Sequence, residues 1–236
     1  MLSEISVGGI EWNSFIDYEG YLSIVVFVNG CQLRCEYCHN KHLLNYKNTV
    51  DLEYLENELL KRRAFNDAVT ICGGEPTMHA GLCTLVDYLK KLNYKIKLDT
   101  NGVNYNQLLK LAGKLDYISL DIKTVWEKYH LLGATDEDIS NIRKSYQLLK
   151  TFDKNKYELR TTVYPQIINS ADLLQMKKII NPSEHKWYLQ KFKPIFNENE
   201  NTFTDKMKYS SEESLLLIAE FLRLPLEKTN QRNRVN

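Results

Sequence analysis

The chain lacks the marks of several protein classes. No apolar run is longer than residues 24–28, far short of the roughly 20 residues that carry a helix across a bilayer, so no membrane segment is expected. Residues 1–9 include Glu4 and show neither the basic start nor the apolar core of a secretory signal. A cytoplasmic protein is the expectation. An excess of one charge is also missing: 31 Lys and Arg face 30 Asp and Glu, a net charge of +1. That balance argues against a nucleic-acid-binding surface covering the whole molecule. With 5 prolines and 10 glycines in 236 residues, no Pro/Gly/Ser-rich linker or low-complexity tract divides the chain. There are 5 cysteines, an odd number, and positions 31, 35 and 38 fall close together. Such spacing suits a disulfide framework badly, and in a reducing compartment it reads as a set of metal ligands.

What is present is an ordinary globular composition, 43% hydrophobic and 26% charged. A chain of this length buries roughly 70–75% of its unfolded surface, enough for a real core. The period of the apolar residues alternates between strand-like runs and amphipathic helical stretches. Strands are expected at residues 22–28, 68–71, 95–98, 117–120, 157–163 and 187–190, and helices at 52–63, 82–92, 105–111, 136–150, 170–180 and 211–222. Each strand is followed by a helix. Such repetition implies parallel strands with right-handed crossovers, and six units fall two short of a closed TIM barrel. The expected fold class is therefore α/β, a partial (βα)6 TIM-like barrel with parallel strands. One domain is expected over residues 1–226, with a surface loop at 197–204 and a fraying polar tail at 227–236.

Every unusual cluster follows an expected strand. Cys31-x3-Cys35-x2-Cys38 comes after the first, Gly73-Gly74-Glu75-Pro76 after the second, Asp99-Thr100-Asn101-Gly102 at the end of the third, and Asp121-Ile122-Lys123 at the end of the fourth. Arg160 lies in the fifth. In βα barrels the loops at the carboxyl ends of the strands build the active site. Three thiolates hold three corners of a four-iron cubane and leave the fourth iron without a protein ligand. The alternative on spacing is a zinc site completed by His39 or His42, although zinc motifs usually pair two short ligand clusters and only one is present.

The cysteine motif, with Tyr37 just before its last member, together with Gly73-Gly74-Glu75-Pro76, resembles the signature of the radical S-adenosylmethionine (SAM) enzymes. More narrowly, Ser14-Phe15-Ile16-Asp17-Tyr18-Glu19-Gly20, Cys38-His39-Asn40, Leu98-Asp99-Thr100-Asn101-Gly102 and Asp121-Ile122-Lys123 resemble the glycyl-radical-enzyme activases. Arg160-Thr161-Thr162-Val163 and Leu189-Gln190-Lys191-Phe192-Lys193-Pro194 are similar to segments of the activating proteins of anaerobic ribonucleoside-triphosphate reductases. Glu19 and Glu36 depart from the prolines common in these families, and Cys72 stands where a small hydroxyl residue is usual.

The resemblance implies one [4Fe-4S] cluster on Cys31, Cys35 and Cys38, with SAM chelating the open iron. The cofactor-binding residues it implies are Tyr37, Cys38, His39, Gly73, Gly74, Glu75, Asp121, Lys123 and Arg160. Glycines 73 and 74 are expected to let backbone approach SAM closely, and Glu75 to accept charge-assisted hydrogen bonds from its ammonium. Asp99, Thr100 and Asp121 would supply oxygens to a monovalent cation, as in the pyruvate formate-lyase activases. The implied partners are an anaerobic ribonucleotide reductase or another glycyl-radical enzyme, and a flavodoxin or ferredoxin as electron donor. No residue is expected to act catalytically beyond the cluster and SAM. Cys72 and Cys83 read as small buried residues.

Two other functions stay open. One is a radical SAM enzyme acting on a small metabolite, such as a 7-carboxy-7-deazaguanine synthase. An Asp typically follows the last cysteine there, where this chain has His39. The other is a non-catalytic zinc or iron–sulfur binding module, which explains the cysteines and leaves the other strand-end motifs without a role.

Overall fold

The structure, a computed structural model, describes residues 2–193, 196–197, 202–203, 205–223 and 232–235. The chain divides into two compact units, interleaved along the sequence. The first comprises Met1–Gln32, Asn40–Leu120 and Asp136–Tyr157; the second comprises Leu33–His39, Asp121–Thr135 and Glu158–Asn236. Because the chain passes several times between them, no linker marks either one, and the sequence suggests a single domain.

The elements of the first unit are β1 (Val7–Ser14), β2 (Ser23–Val28), α1 (Leu52–Arg62), β3 (Ala68–Gly73), α2 (Leu82–Lys91), β4 (Lys95–Thr100), α3 (Tyr105–Leu111), β5 (Tyr117–Asp121) and α4 (Asp136–Leu149). Strands β2, β3, β4 and β5 pair in parallel in that order, and β1 pairs antiparallel with β2. The register sets Val26, Ile71, Leu98 and Ile118 side by side, and all four are buried. Strands covered on both faces read as nearly continuous apolar runs, which explains why these were visible in the sequence. Burying each such side chain stabilises the fold by about 1.5–3 kcal/mol. Helix α1 starts where the Asp51 carboxylate accepts the Tyr54 N–H at 2.7 Å, a standard N-cap. It turns Leu55 and Leu59 inward and ends on Lys61 and Arg62, whose charges suit the carboxyl end of a helix.

The second unit holds β6 (Tyr157–Val163), α5 (Ser170–Ile180), β7 (Trp187–Lys191), β8 (Phe196–Asn197), β9 (Thr202–Phe203), α6 (Asp205–Leu222) and β10 (Arg232–Val235). β6 and β7 are parallel, and β10 pairs antiparallel with β7. Asn169 and Asp172 form a reciprocal capping box at the start of α5. Within the expected tail 227–236, residues 232–235 thus form a strand whose Asn233 and Val235 are buried; the rest of that stretch lies outside the described residues. Of the expected loop 197–204, residues 197 and 202–203 belong to a two-stranded ribbon in which 196–197 pair with 202–203, and the remainder lies outside the described residues. No helix among the described residues is long and apolar enough to cross a membrane.

All six strand–helix pairs expected from the sequence are present, β2–α1 through β7–α6. The fold class is α/β with a mostly parallel set of strands, and the motif residues stand at strand carboxyl ends in both units.

Candidate functional site

In the first unit the ends of β2, β3 and β4 are tied together by backbone and side-chain bonds. The Gly74 N–H donates to Val28 O at 2.8 Å and the Glu75 N–H to Gly30 O at 2.7 Å. This approach explains the two glycines. Gly73 has φ +110°, and a Cβ there would lie 2.5 Å from the Val28 backbone nitrogen. A Cβ on Gly74 would lie 1.9 Å from the Gly30 carbonyl oxygen, far inside van der Waals contact. The space their missing side chains leave is taken by the chain's own backbone, next to Cys31.

Glu75 is buried. Its Oε1 accepts from Thr77 N (3.1 Å), Thr77 Oγ1 (2.5 Å) and Thr100 Oγ1 (2.6 Å), and its Oε2 accepts from Asn101 N at 2.7 Å. Burial pushes its carboxyl pKa above the usual range even against these four donors. A carboxylate offers about four acceptor sites, two on each oxygen; Oε1 takes three donors and Oε2 one, so an acceptor site remains on Oε2. Its observed work is to hold the β3 and β4 ends together.

Asp99 and Thr100 were expected to offer oxygens to a monovalent cation. Lys97 Nζ stands 3.2 Å from Asp99 Oδ1 and donates to Asp17 O at 2.5 Å. Thr100 Oγ1 donates to Glu75 and accepts the Gly102 N–H at 3.1 Å. In the second unit Asp121, the third expected ligand, accepts from Arg160 Nε at 3.0 Å and Lys123 Nζ at 3.2 Å. Each carboxylate thus stands beside a cationic group of its own unit, Asp99 beside Lys97 and Asp121 beside Arg160 and Lys123.

The second unit gathers Cys35, Tyr37, Asp121, Lys123 and Arg160, all of them singled out in the sequence. Burial pushes the Cys35 thiol pKa up, with Lys123 opposing it. The Cys38 N–H donates to Cys35 O at 3.1 Å, closing the turn between these two cysteines. Tyr37 is buried and stacks obliquely on Tyr164, ring centroids 5.1 Å apart, which in turn meets Phe192 at 5.0 Å. Burial would raise the Asp121 pKa, but Arg160 and then Lys123 outweigh it and hold the carboxyl below the usual range. Tyr129, absent from the sequence expectations, accepts the Lys123 N–H at 2.9 Å and is fully buried. His39 is exposed; partial burial and then the Lys193 ammonium lower its imidazole pKa.

Replacing Asp121 by Asn is expected to destabilise the protein by about 2 kcal/mol, because Arg160 and Lys123 lose their shared carboxylate while only 14% and 17% exposed. The contribution of a depressed carboxyl is present above its unfolded pKa of about 3.9 and disappears as pH falls through the lower folded value. Thermal melts of parent and Asp121→Asn should therefore differ at pH 5–7 and converge only below about pH 4. Equal midpoints at pH 7 would refute the pairing.

The cysteines fit a cluster by donor chemistry: all are free thiols of intermediate exposure, and Cys35 lies beside a lysine that favours its thiolate. Residues 25–170 match the Radical SAM superfamily. A Methanocaldococcus jannaschii protein that carries the name of a glycyl-radical enzyme activating enzyme is 30% identical over 95% of this chain and 88% of its own length. The 7-carboxy-7-deazaguanine synthase of Aquifex aeolicus is 31% identical over 47% of this chain and 50% of its own. The solved structure of anSMEcpe with bound AdoMet matches 82% of this chain and 57% of that one with a TM-score of 0.60 at 19% identity, a likeness of fold. The superfamily uses a [4Fe-4S] cluster and SAM. A match across more than half its length and a relative similar from end to end place the chain among the radical SAM enzymes, in the family of glycyl-radical enzyme activating enzymes.

Proposed function

We propose that this protein activates an anaerobic ribonucleoside-triphosphate reductase by removing a hydrogen atom from the Cα of one glycine. The observation that carries the activase reading is extent. Similarity to the protein named for glycyl-radical enzyme activation runs over 95% of the chain, whereas similarity to the deazaguanine synthase covers 47%. The choice of reductase rests on the segments around Arg160 and Gln190.

In this reading Cys31, Cys35 and Cys38 ligate three irons. A reduced cluster with bound SAM would supply there the 5′-deoxyadenosyl radical chemistry that takes the hydrogen. The chain's own residues orient and protect. Lys123 and Arg160 present cationic groups suited to the SAM carboxylate or ribose, and Asp121 keeps both from swinging into solvent. Tyr37, wedged against Tyr164, shields the Cys35 side from water. Glu75 fixes the Thr100–Asn101 turn. A flavodoxin or ferredoxin is the proposed electron donor.

Mixed anaerobically with SAM, a reductant and the anaerobic reductase, the protein should produce a doublet electron paramagnetic resonance signal that vanishes when the target glycine of the reductase is changed to alanine. If no protein radical forms, yet a small molecule drives steady 5′-deoxyadenosine release, the synthase-like reading replaces this one.

A further inference from the structure

Among the motif residues, Asn101 has no role in the function described so far. It is buried and its position is tightly determined. Its backbone N–H donates to Glu75 Oε2 at 2.7 Å, and its Oδ1 accepts the Val103 N–H at 3.0 Å. The second bond fixes which way the amide faces, since only the carbonyl oxygen can accept a backbone N–H. The NH2 group is thereby turned outward from the β4 end, and Nδ2 lies 3.6 Å from Cys31 Sγ, hydrogen-bond reach for sulfur.

We propose that Asn101 is a positioning residue for the iron–sulfur cluster: its side-chain N–H donates to the Cys31 sulfur and raises the cluster's one-electron reduction potential. This rests on the assignment of Cys31 as a cluster ligand. When [4Fe-4S]2+ takes up one electron to become [4Fe-4S]+, part of the added negative charge falls on the ligating sulfurs. An N–H dipole aimed at one of them stabilises the reduced state more than the oxidised one, and no N–H bond breaks. Hydrogen bonds to sulfur are a recognised control of cluster potential, and their effect is larger away from bulk water. Glu75 then acts on the cluster indirectly, because its carboxylate holds the backbone that carries the amide.

The test is a potentiometric titration of the full chain, anaerobically reconstituted and free of SAM, with a low-potential one-electron reductant and the paramagnetic signal of the reduced cluster as readout. Asn101→Ser keeps an oxygen for the Val103 N–H but is too short to reach the sulfur; Asn101→Ala removes both contacts; Asn106→Ala, on an exposed helix position, is the control. At the parent's midpoint, the ratio of reduced to oxidised cluster should fall roughly three- to tenfold in both Asn101 variants, about 30–60 mV for one electron, and stay unchanged in the control. An unchanged midpoint in Asn101→Ala with four irons bound would overturn the inference. So would loss of the cluster from both variants at an unaltered melting temperature, which would make the residue one of assembly. A parent chain that binds no four-iron cluster at all would instead defeat the functional reading on which the inference stands.

Discussion

Cys31→Ala, Cys35→Ala and Cys38→Ala are each expected to abolish the visible absorption of the reconstituted cluster and all cleavage of SAM. In the proposed reading each thiolate would hold one iron, and the open fourth iron would leave the cubane no spare protein ligand. The structure sharpens the expectation for Cys35, whose thiol is half-buried and whose pKa is raised by that burial. Only a strong Lewis acid repays the cost of ionising such a group, and Lys123 helps by favouring the thiolate. Cys72→Ala and Cys83→Ala should retain both absorption and turnover. Cys83 receives a weak hydrogen bond from Gln107 Nε2 at 3.5 Å, within the first unit and remote from the motif in sequence. Iron and sulfide analysis with the optical spectrum reads the result, and a four-iron cluster in Cys35→Ala would sink the ligand assignment.

Glu75→Ala should be the most damaging substitution that touches no cysteine. It strips Thr77 N, Thr77 Oγ1, Thr100 Oγ1 and Asn101 N of their common acceptor in a site closed to water. Buried donors left unsatisfied cost roughly 1–3 kcal/mol each, and the terms are not additive; a total loss of about 3–5 kcal/mol is in keeping with removing one partner of a buried charged network. For a chain of this size that lowers the melting temperature by roughly 6–20 °C. Glu75→Gln should lose less, since one amide oxygen still accepts, but its NH2 must confront a donor whichever way it turns. Melting curves of the two variants without SAM make the measurement. A Glu75→Ala protein that melts with the parent would mean that the carboxylate serves the ligand alone, and calorimetric titration with SAM would then carry the whole effect.

Strand β2 was legible as an uninterrupted apolar run, Ile24 to Val28, whereas β4, β6 and β7, which read KIKLDT, YELRTTV and WYLQK, showed themselves by short alternating stretches between helical ones. β1 escaped notice: its sequence, VGGIEWNS, has two glycines near its start, and its pairing with β2 is broken by register shifts. β10 reads Arg-Asn-Arg-Val, a polar segment that becomes a strand only because β7 offers it an edge. At the site, spacing revealed the cysteines and the Gly-Gly-Glu turn, since both are local in sequence. The ion pair of Lys97 with Asp99 was less visible, although a hint existed: the two are two apart on a strand, so their side chains share a face. Asn101 was legible as part of a strand-end motif but not in what its amide meets, and Tyr129 carries no signal at all. The amide of one is oriented by a turn that also needs Glu75, 26 positions away in sequence, and the hydroxyl of the other meets a backbone N–H beyond β5.

The contact between Gly74 and Gly30 also bears on how such a chain can change over generations. A crowded side chain can be accommodated by shrinking its neighbour, but the atom facing Gly74 is a carbonyl oxygen, which every amino acid possesses. No second substitution at position 30 removes it. Compensation is closed off, so an exhaustive library at position 74 should return glycine alone, and the turn before Glu75 and the loop before Cys31 are bound to be inherited as one piece.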